Sequence, residues 1–313
     1  MGTVGSERRG ATAKFWPSPA DSDPPFSGVA LARCRVFRRT ASPVPASNTA
    51  IALAIEIALL GGGLVLAWRL AASPAARAQP AAPQLQPWPV PTAEFMRFLL
   101  LVICATLAGN FLGTLALALR PVGTDTRALV LTGFSQAGML AGLAAHKVTA
   151  ERLAWRDLAV RGTDLMAGAA TFLISLPFVT TTNLAWRGLL QAAGLTLEKQ
   201  ELVSIFAHAR SPLLLGAMVV LATVTAPASE ELLFRGGFFR YLRTRLPRWA
   251  ALVAPACLFA ALHQHIASFV PLVALGVIFS LAYERTGRIA TVIVAHGLFN
   301  LHTIVLILCG VGT

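Results

Sequence analysis

Charged residues are scarce in this sequence. Asp, Glu, Lys and Arg make up 13% of its 313 residues, whereas they supply about a quarter of a typical soluble domain. Hydrophobic residues make up 56%, and the mean hydropathy is +0.67. Apolar runs of about 20 residues recur along the chain, each long enough to cross the hydrocarbon layer of a bilayer. This balance excludes a soluble globular domain and predicts a polytopic helical membrane protein.

Cysteine is also scarce, and its four residues show no CxxC spacing. They are scattered and lie mostly inside apolar runs, which favours small apolar helix residues over zinc ligands or a disulfide framework. The formal net charge is +12, but the basic residues cluster in short segments between apolar runs. Such segments orient membrane helices and contact anionic lipid headgroups, so membrane lipids are expected partners and nucleic acid is not.

The chain divides into three predicted parts. Residues 1–48 lack a sustained apolar run and are expected to form a disordered basic tail. Residues 49–210 hold the N-terminal spans, a proline-rich linker at 73–92 that cannot be a helix interior, and an amphipathic segment at 196–209 expected at the membrane interface. Residues 211–313 are expected to form a catalytic transmembrane core.

The predicted fold class is all-α, a polytopic transmembrane helix bundle with a membrane-embedded polar cavity. No internal repeat is visible. About eight spans are expected, and they lie near residues 49–68, 94–119, 128–147, 163–186, 211–238, 250–266, 268–284 and 288–310.

Two basic loops, 148–161 and 239–248, predict the orientation of the bundle. In an eight-span bundle they lie on the same side, which is therefore expected to be cytoplasmic, with both termini outside. The arginine-rich tail favours the opposite orientation, but the positive-inside rule is weaker for long tails than for short loops. The expected location is the bacterial inner membrane.

Polar residues form three clusters in the last third of the chain, where an ionisable side chain near the bilayer centre costs roughly 2.5–3.5 kcal/mol. The clusters are Glu230, Glu231 and Arg235 in "EELLFR", Phe259 and His263 in "FAALH", and His296 and Asn300 in "HGLFN". Three such sets on three spans favour a site in the bundle interior. A lone histidine such as His265 or His302 is better explained as a hydrogen-bonded packing residue.

Helical spacing assigns different surroundings to the two glutamates. Glu231 and Arg235 are four residues apart, on one face, so they can pair, and a purely structural ion pair is the favoured explanation for them. Glu230 is rotated by about 100° from Glu231 and has no partner on its own helix.

The three clusters together suit hydrolysis of a peptide bond. A carboxylate in a poorly solvated cavity can act as a general base. Imidazole and carboxamide groups can polarise a carbonyl and hold the developing oxyanion, where one donor is worth about 2.7–4 kcal/mol. The sequence shows no serine nucleophile elbow and no catalytic-cysteine context.

The same residues resemble a known family. In order, "EELLFR", "FAALH" and "HGLFN" are similar to the EExxxR, FxxxH and HxxxN/B motifs of the CAAX protease and bacteriocin-processing (CPBP, or Abi) intramembrane proteases, which include type II CAAX prenyl endopeptidases. "YERTGRIATVIVAH" before the last motif is similar as well. The resemblance covers about residues 211–310 and has no departure in the motif letters.

The resemblance implies an eight-helix intramembrane endopeptidase whose cavity opens towards the cytosol. By motif position, Glu230 and His263 would activate water, while His296 and Asn300 would form the oxyanion site. Glu231, which the family pattern treats as essential, and Arg235 would support the cavity wall. Phe259 belongs to the same motif as His263.

Metal dependence is left open by the sequence. The family carries a metalloprotease label, and Glu230, His263 and His296 form a plausible three-ligand set for one zinc ion with water as the fourth ligand. A metal-free mechanism that uses glutamate is the alternative.

Two classes of function are compatible with these residues. The first is an endopeptidase that cleaves a membrane-associated or lipidated, CAAX-like protein or a small peptide. The second is a non-catalytic immunity, scaffold or transport protein that uses the same polar cavity. Transporters usually contain internal repeats, and their absence here disfavours transport.

Overall fold

The structure is a computed structural model, and it describes residues 46–78, 83, 85–119, 122–150, 159–197 and 211–309, with side chains left out at 46–49 and 148–150. Most of the predicted tail and of the predicted interfacial segment 196–209 lies outside these residues. The described part falls within one compact unit, Val44–Thr313. The division at residue 210 stays a prediction.

All regular elements of the described residues are helices, as the apolar runs predict. They are α1 (Ala46–Ala67, extended by π-helical Trp68–Ala72), α2 (Pro74–Ala78), α3 (Thr92–Ala118), α4 (Thr124–Ala150), α5 (Gly162–Ala192), α6 (Pro212–Leu242), α7 (Arg248–Leu262), α8 (Ile266–Thr286) and α9 (Ile289–Leu308). Within the described part, seven of them are long and apolar enough to cross a membrane. Large apolar side chains cover their outer faces, as at Phe111, which is 68% exposed. The all-α, multi-pass prediction is confirmed.

Helix α7 is the exception among the predicted spans. A span was predicted at 250–266, but the helix ends at Leu262 after 15 residues. Gln264 has a φ of 51°, a left-handed conformation that does not continue an α-helix. The predicted boundary was wrong because it carried the span through His263, Gln264 and His265, the three polar residues that form this turn.

Helices α3 and α4 form a close antiparallel pair through small residues. A Cβ atom at Gly109 would meet the carbonyl oxygen of Phe134, and one at Gly138 would meet that of Ala105. Each glycine is followed four residues later by another, Gly113 and Gly142. This spacing lets two backbones approach closely in lipid, where apolar burial alone does not drive association.

The last four helices, α6 to α9, pack around one apolar cluster. Phe239 from α6, Leu252 from α7, Phe279 from α8 and Val292 from α9 are buried in it. Helix α5 packs against α8 and α9 and so closes one side of this core.

The proline-rich linker is partly ordered against the bundle. Residues 74–78 form the short helix α2, so the prediction of no helix in this segment was wrong at its start. Pro74 occupies the first helical position, where its missing N–H costs nothing. Further on, Trp88 and Val90 are buried beside Tyr241.

Arginines gather at one end of the bundle. There Arg243 Nε and Arg248 Nε donate to the Glu284 carboxylate at 2.9 and 2.8 Å, and Arg288 donates to Asp164 at 2.6 Å. Arg285 Nη1 donates to the carbonyl of Leu70, 2.9 Å away at the end of α1. This arginine-rich end therefore holds the loops after α1, α6 and α8, and the start of α1 lies at the opposite end, as the eight-span topology predicts.

Candidate active site

Helix α6 changes its geometry around the two glutamates. Ala226–Glu231 is α-helical, but the stretches before and after it, Leu221–Thr225 and Leu232–Phe239, are π-helical. Pro227 lies within the α-helical stretch and has no N–H to donate. Short π-helical stretches inside α-helices are frequent at functional sites, and here two of them enclose the residues singled out by the sequence.

Glu231 is fully buried and joins two helices. Its Oε1 accepts a hydrogen bond from Arg235 Nη1 at 2.8 Å and one from His296 Nδ1 at the same distance. Arg235 also donates Nη2 to the carbonyl of Gly276 on α8, 3.1 Å away. The predicted Glu231–Arg235 pair is therefore present, and it extends to α8 and α9.

Glu230 has the opposite setting to its neighbour. Its side chain is 20% exposed, against 0% for Glu231, and its Oε2 lies 3.8 Å from His296 Nε2. That separation is too long for a hydrogen bond and leaves the carboxylate able to bind another group. The rotation by one residue along the helix thus separates a buried carboxylate from an accessible one.

His263 caps the end of α7 instead of lying inside a span. Its backbone N–H bonds to Ala260, and its Nδ1 lies 2.8 Å from the carbonyl oxygen of Phe259. A carbonyl only accepts, so Nδ1 carries the proton and Nε2 of the neutral ring is a proton acceptor. The imidazole is exposed at the turn, within electrostatic range of Glu230.

Phe259 stands between the two histidines. Its buried ring lies 4.6 Å from the ring centroid of His263 and 6.0 Å from that of His296. The Arg235 guanidinium lies over the same ring at 5.1 Å. The Phe259 ring therefore forms a shared wall, as the four-residue spacing from His263 predicts.

Asn300 faces α6. Its Nδ2 donates to the carbonyl of Ala222 at 2.8 Å, which uses one of the two N–H groups of the amide. Ala222 belongs to the first π-helical stretch of α6. The oxyanion pair predicted from the sequence, His296 and Asn300, thus lies on the α9 face that contacts α6.

Two further polar residues at the site escaped the sequence analysis. Ser229 is fully buried and its Oγ contacts the side-chain amide of Gln136 on α4. A glutamine inside an apolar span was the available signal, but nothing in the sequence relates it to residue 229.

The donors do not form a zinc site as arranged. Glu230 Oε2 and His296 Nε2 face each other, but the described residues contain no group of three His, Cys, Asp or Glu side chains that could hold a metal ion. Nδ1 of His296 is occupied by Glu231. The zinc alternative stays a prediction for metal analysis to test.

Polar residues outside the site also have partners. Glu56 Oε2 bonds to His302 Nε2 at 2.7 Å and so connects α1 to α9, and His265 bonds to Ser268. Asp164 accepts the backbone N–H of Arg161 and caps α5. These histidines are packing residues, as expected.

The fold and the site define an integral multi-pass membrane protein with a carboxylate–imidazole centre between its helices. Residues 212–302 match the family model "Type II CAAX prenyl endopeptidase Rce1-like". The match contains all three motifs, so it confirms the family resemblance over this segment. It supports a CAAX-type protease function in the broad sense.

One curated relative is the UPF0177 protein YbdI of Lactococcus lactis subsp. lactis (strain IL1403). It is 31% identical over 87 residues, which cover 28% of this chain and 46% of that protein. The chain therefore spans about half the length of this relative, whose name states no activity. No solved structure matches the chain.

Proposed function

We propose that this protein is an intramembrane endopeptidase that hydrolyses a peptide bond of a membrane-associated or lipidated, CAAX-like protein or of a small peptide. The observation that carries the proposal is the accessible Glu230 carboxylate beside His296, whose other nitrogen is held by the buried Glu231. The bacterial inner membrane is the proposed location, with the arginine-rich end in the cytoplasm.

Water is activated by Glu230 together with Nε2 of His263. The base removes a proton from water while the oxygen attacks the carbonyl carbon of the scissile bond. The bound proton is then delivered to the leaving nitrogen as the C–N bond breaks. The tautomer fixed by the Phe259 carbonyl supports this role, because it leaves Nε2 unprotonated.

The oxyanion is stabilised by His296 and Asn300. When Nε2 of His296 carries a proton, it donates to the oxyanion while Nδ1 remains bonded to Glu231. Asn300 supplies the N–H that its bond to Ala222 leaves over. Loss of one such donor typically costs about 2.7–4 kcal/mol of transition-state stabilisation.

The zinc alternative would use Glu230, His263 and His296 as ligands, a set that the present side-chain positions do not bring together, and the bound ion would supply a polarised water. The steps above use only side chains of the chain itself.

The test is cleavage of quenched fluorescent peptides by the full-length protein in lipid vesicles. One peptide ends in a prenylated CAAX sequence, a second has the same sequence without the prenyl group, and a third is an unrelated apolar peptide. Cleavage by the wild type but not by Glu230→Gln supports the proposal. If the wild type binds the peptides and cleaves none of them, the non-catalytic immunity or scaffold alternative replaces it.

A further inference from the structure

We propose that Gln136 on α4 is a positioning residue for Glu230 and that it acts through Ser229. This inference rests on the proposed function, since it assigns Glu230 the role of base. Its test therefore includes a measurement that needs no cleavage.

Three consecutive residues on α6 differ in what holds them. Ser229 and Glu231 are both fully buried. Glu231 is fixed to α9 through His296, and Ser229 contacts Gln136 of α4. Glu230, between them, is partly exposed. The position of the accessible Glu230 is thus set by its two neighbours in the chain. Glu231 is hydrogen-bonded to α9, and Ser229 contacts α4.

The Ser229 hydroxyl has a single proton and three neighbouring polar groups. It lies 3.1 Å from the carbonyl of Thr225 and 3.0 Å from that of Ala226, both on its own helix. Among the described residues, only the contact with Gln136 joins it to another helix. With the hydroxyl proton given to a backbone carbonyl, the hydroxyl oxygen can accept from the Gln136 amide, so the contact is satisfied in either amide orientation.

The local backbone explains why this support matters. The stretch Ala226–Glu231 has π-helical turns on both sides and contains Pro227. Its direction is therefore less firmly set by a continuous α-helical hydrogen-bond ladder than that of an ordinary helix. A fixed contact to α4 restrains rotation of this stretch, and small displacements of a catalytic group can lower the rate by about a hundredfold.

The first experiment compares Gln136→Leu, Ser229→Ala and the double variant. Thr132→Val serves as the control, because it also removes a polar group from α4 but at an exposed position. We expect both single variants to lower kcat about tenfold with KM unchanged, and the double variant to be no slower than either. Multiplying losses in the double variant would overturn the route through Ser229, and an unchanged kcat in Gln136→Leu would overturn the proposal.

The second experiment measures the position of residue 230 without catalysis. Glu230→Cys is introduced into full-length protein whose four native cysteines are replaced by alanine, and its reaction with a small thiosulfonate is timed. We expect Gln136→Leu and Ser229→Ala to change the rate severalfold and Thr132→Val to leave it unchanged. Equal rates in all backgrounds would overturn the positioning role. Altered rates in a protein that cleaves nothing would support it while the proposed function fails.

Discussion

At the scale of single residues, the two adjacent glutamates differ in role, since one holds buried groups in place and the other is accessible for chemistry. Glu231 compensates the buried Arg235 guanidinium and holds His296, whereas Glu230 contacts neither arginine nor backbone in the described hydrogen bonds. The same substitution at the two positions should therefore separate catalysis from stability.

Glu230→Gln should abolish cleavage, with a loss of at least about a hundredfold, because it removes the base. It should leave the unfolding temperature in detergent unchanged, because the nearest partner of Glu230, His296 Nε2, lies beyond hydrogen-bond distance at 3.8 Å. Glu231→Gln should lower the free energy of unfolding by about 3–5 kcal/mol, because Arg235 then lacks its buried counter-charge. Thermal unfolding and cleavage of both variants test this pair. Equal destabilisation by the two would contradict the separate roles.

His263→Asn should also stop cleavage while the fold persists. An asparagine amide can still donate to the Phe259 carbonyl in place of Nδ1, but it offers no basic nitrogen in place of Nε2. The comparison is with Ser268→Ala, which removes a hydroxyl bonded to the neighbouring His265 at the same turn. A His263→Asn variant with wild-type kcat would show that this imidazole takes no part in proton transfer.

Metal removal tests whether Glu230, His263 and His296 act as zinc ligands. The glutamate mechanism proposed above predicts that cleavage continues after treatment with a strong zinc chelator and that purified protein contains less than stoichiometric zinc. Activity that disappears on chelation and returns with added zinc would reassign His263 and His296 as ligands.

The sequence predicted side-chain contacts of the site where both residues lie close together on one helix. The Glu231–Arg235 pair and the Phe259–His263 contact follow from their four-residue spacing, which places two side chains on the same face of a helix. The Glu231–His296 bond and the Gln136–Ser229 contact connect different helices, and no pattern within one span specifies them. The exposed setting of His263 was missed for a similar reason, since it depends on where α7 stops.

At the scale of helices, the approach of α9 to α6 sets the distances in the site. A Cβ atom at Gly297 would meet the carbonyl oxygen of Thr223, one residue after the Ala222 carbonyl that holds Asn300. The glycine permits this contact, and both helices bring catalytic candidates to it.

Gly297→Ala should therefore destabilise the protein by about 1–3 kcal/mol through overpacking and lower kcat by separating α9 from α6. Gly188→Ala on α5 is the matched control. Nothing lies within 4 Å of the Cβ it would add, so it should be neutral or stabilise by up to about 1 kcal/mol. Unfolding and cleavage measurements check both, and a Gly297→Ala protein as active and stable as Gly188→Ala would refute the close approach.

At the scale of the whole molecule, the arginine-rich end predicts the orientation of the bundle in the membrane. The helix ends and loops that hold Arg243, Arg285 and Arg288 lie together, as the alternation of spans predicts from sequence. The order of the long helices could be derived from apolar runs alone, because each run must satisfy its own backbone hydrogen bonds in lipid, whereas the short helix α2 and the end of α7 could not. Packing partners such as α5 against α8 and α9 could not, since the apolar pattern within one span does not specify which helix packs against it.

Thiol labelling of intact cells tests this direction. Gly123→Cys, between α3 and α4, should react with a membrane-impermeant maleimide from outside. Leu246→Cys, at the arginine-rich end, should react only after the membrane is permeabilised. Both are made in the protein without native cysteines, and the reverse pattern would invert the orientation.

The length of α7 couples the site to the membrane around it. Its 15 residues span about 22 Å, less than the roughly 30 Å of a typical hydrocarbon core. A bilayer accommodates so short a helix by thinning or by snorkelling of the flanking side chains, and such hydrophobic mismatch costs a fraction of a kcal/mol per ångström. Because His263 stands at the end of this short helix, we expect the cleavage rate of the reconstituted protein to change with the chain length of the surrounding lipids.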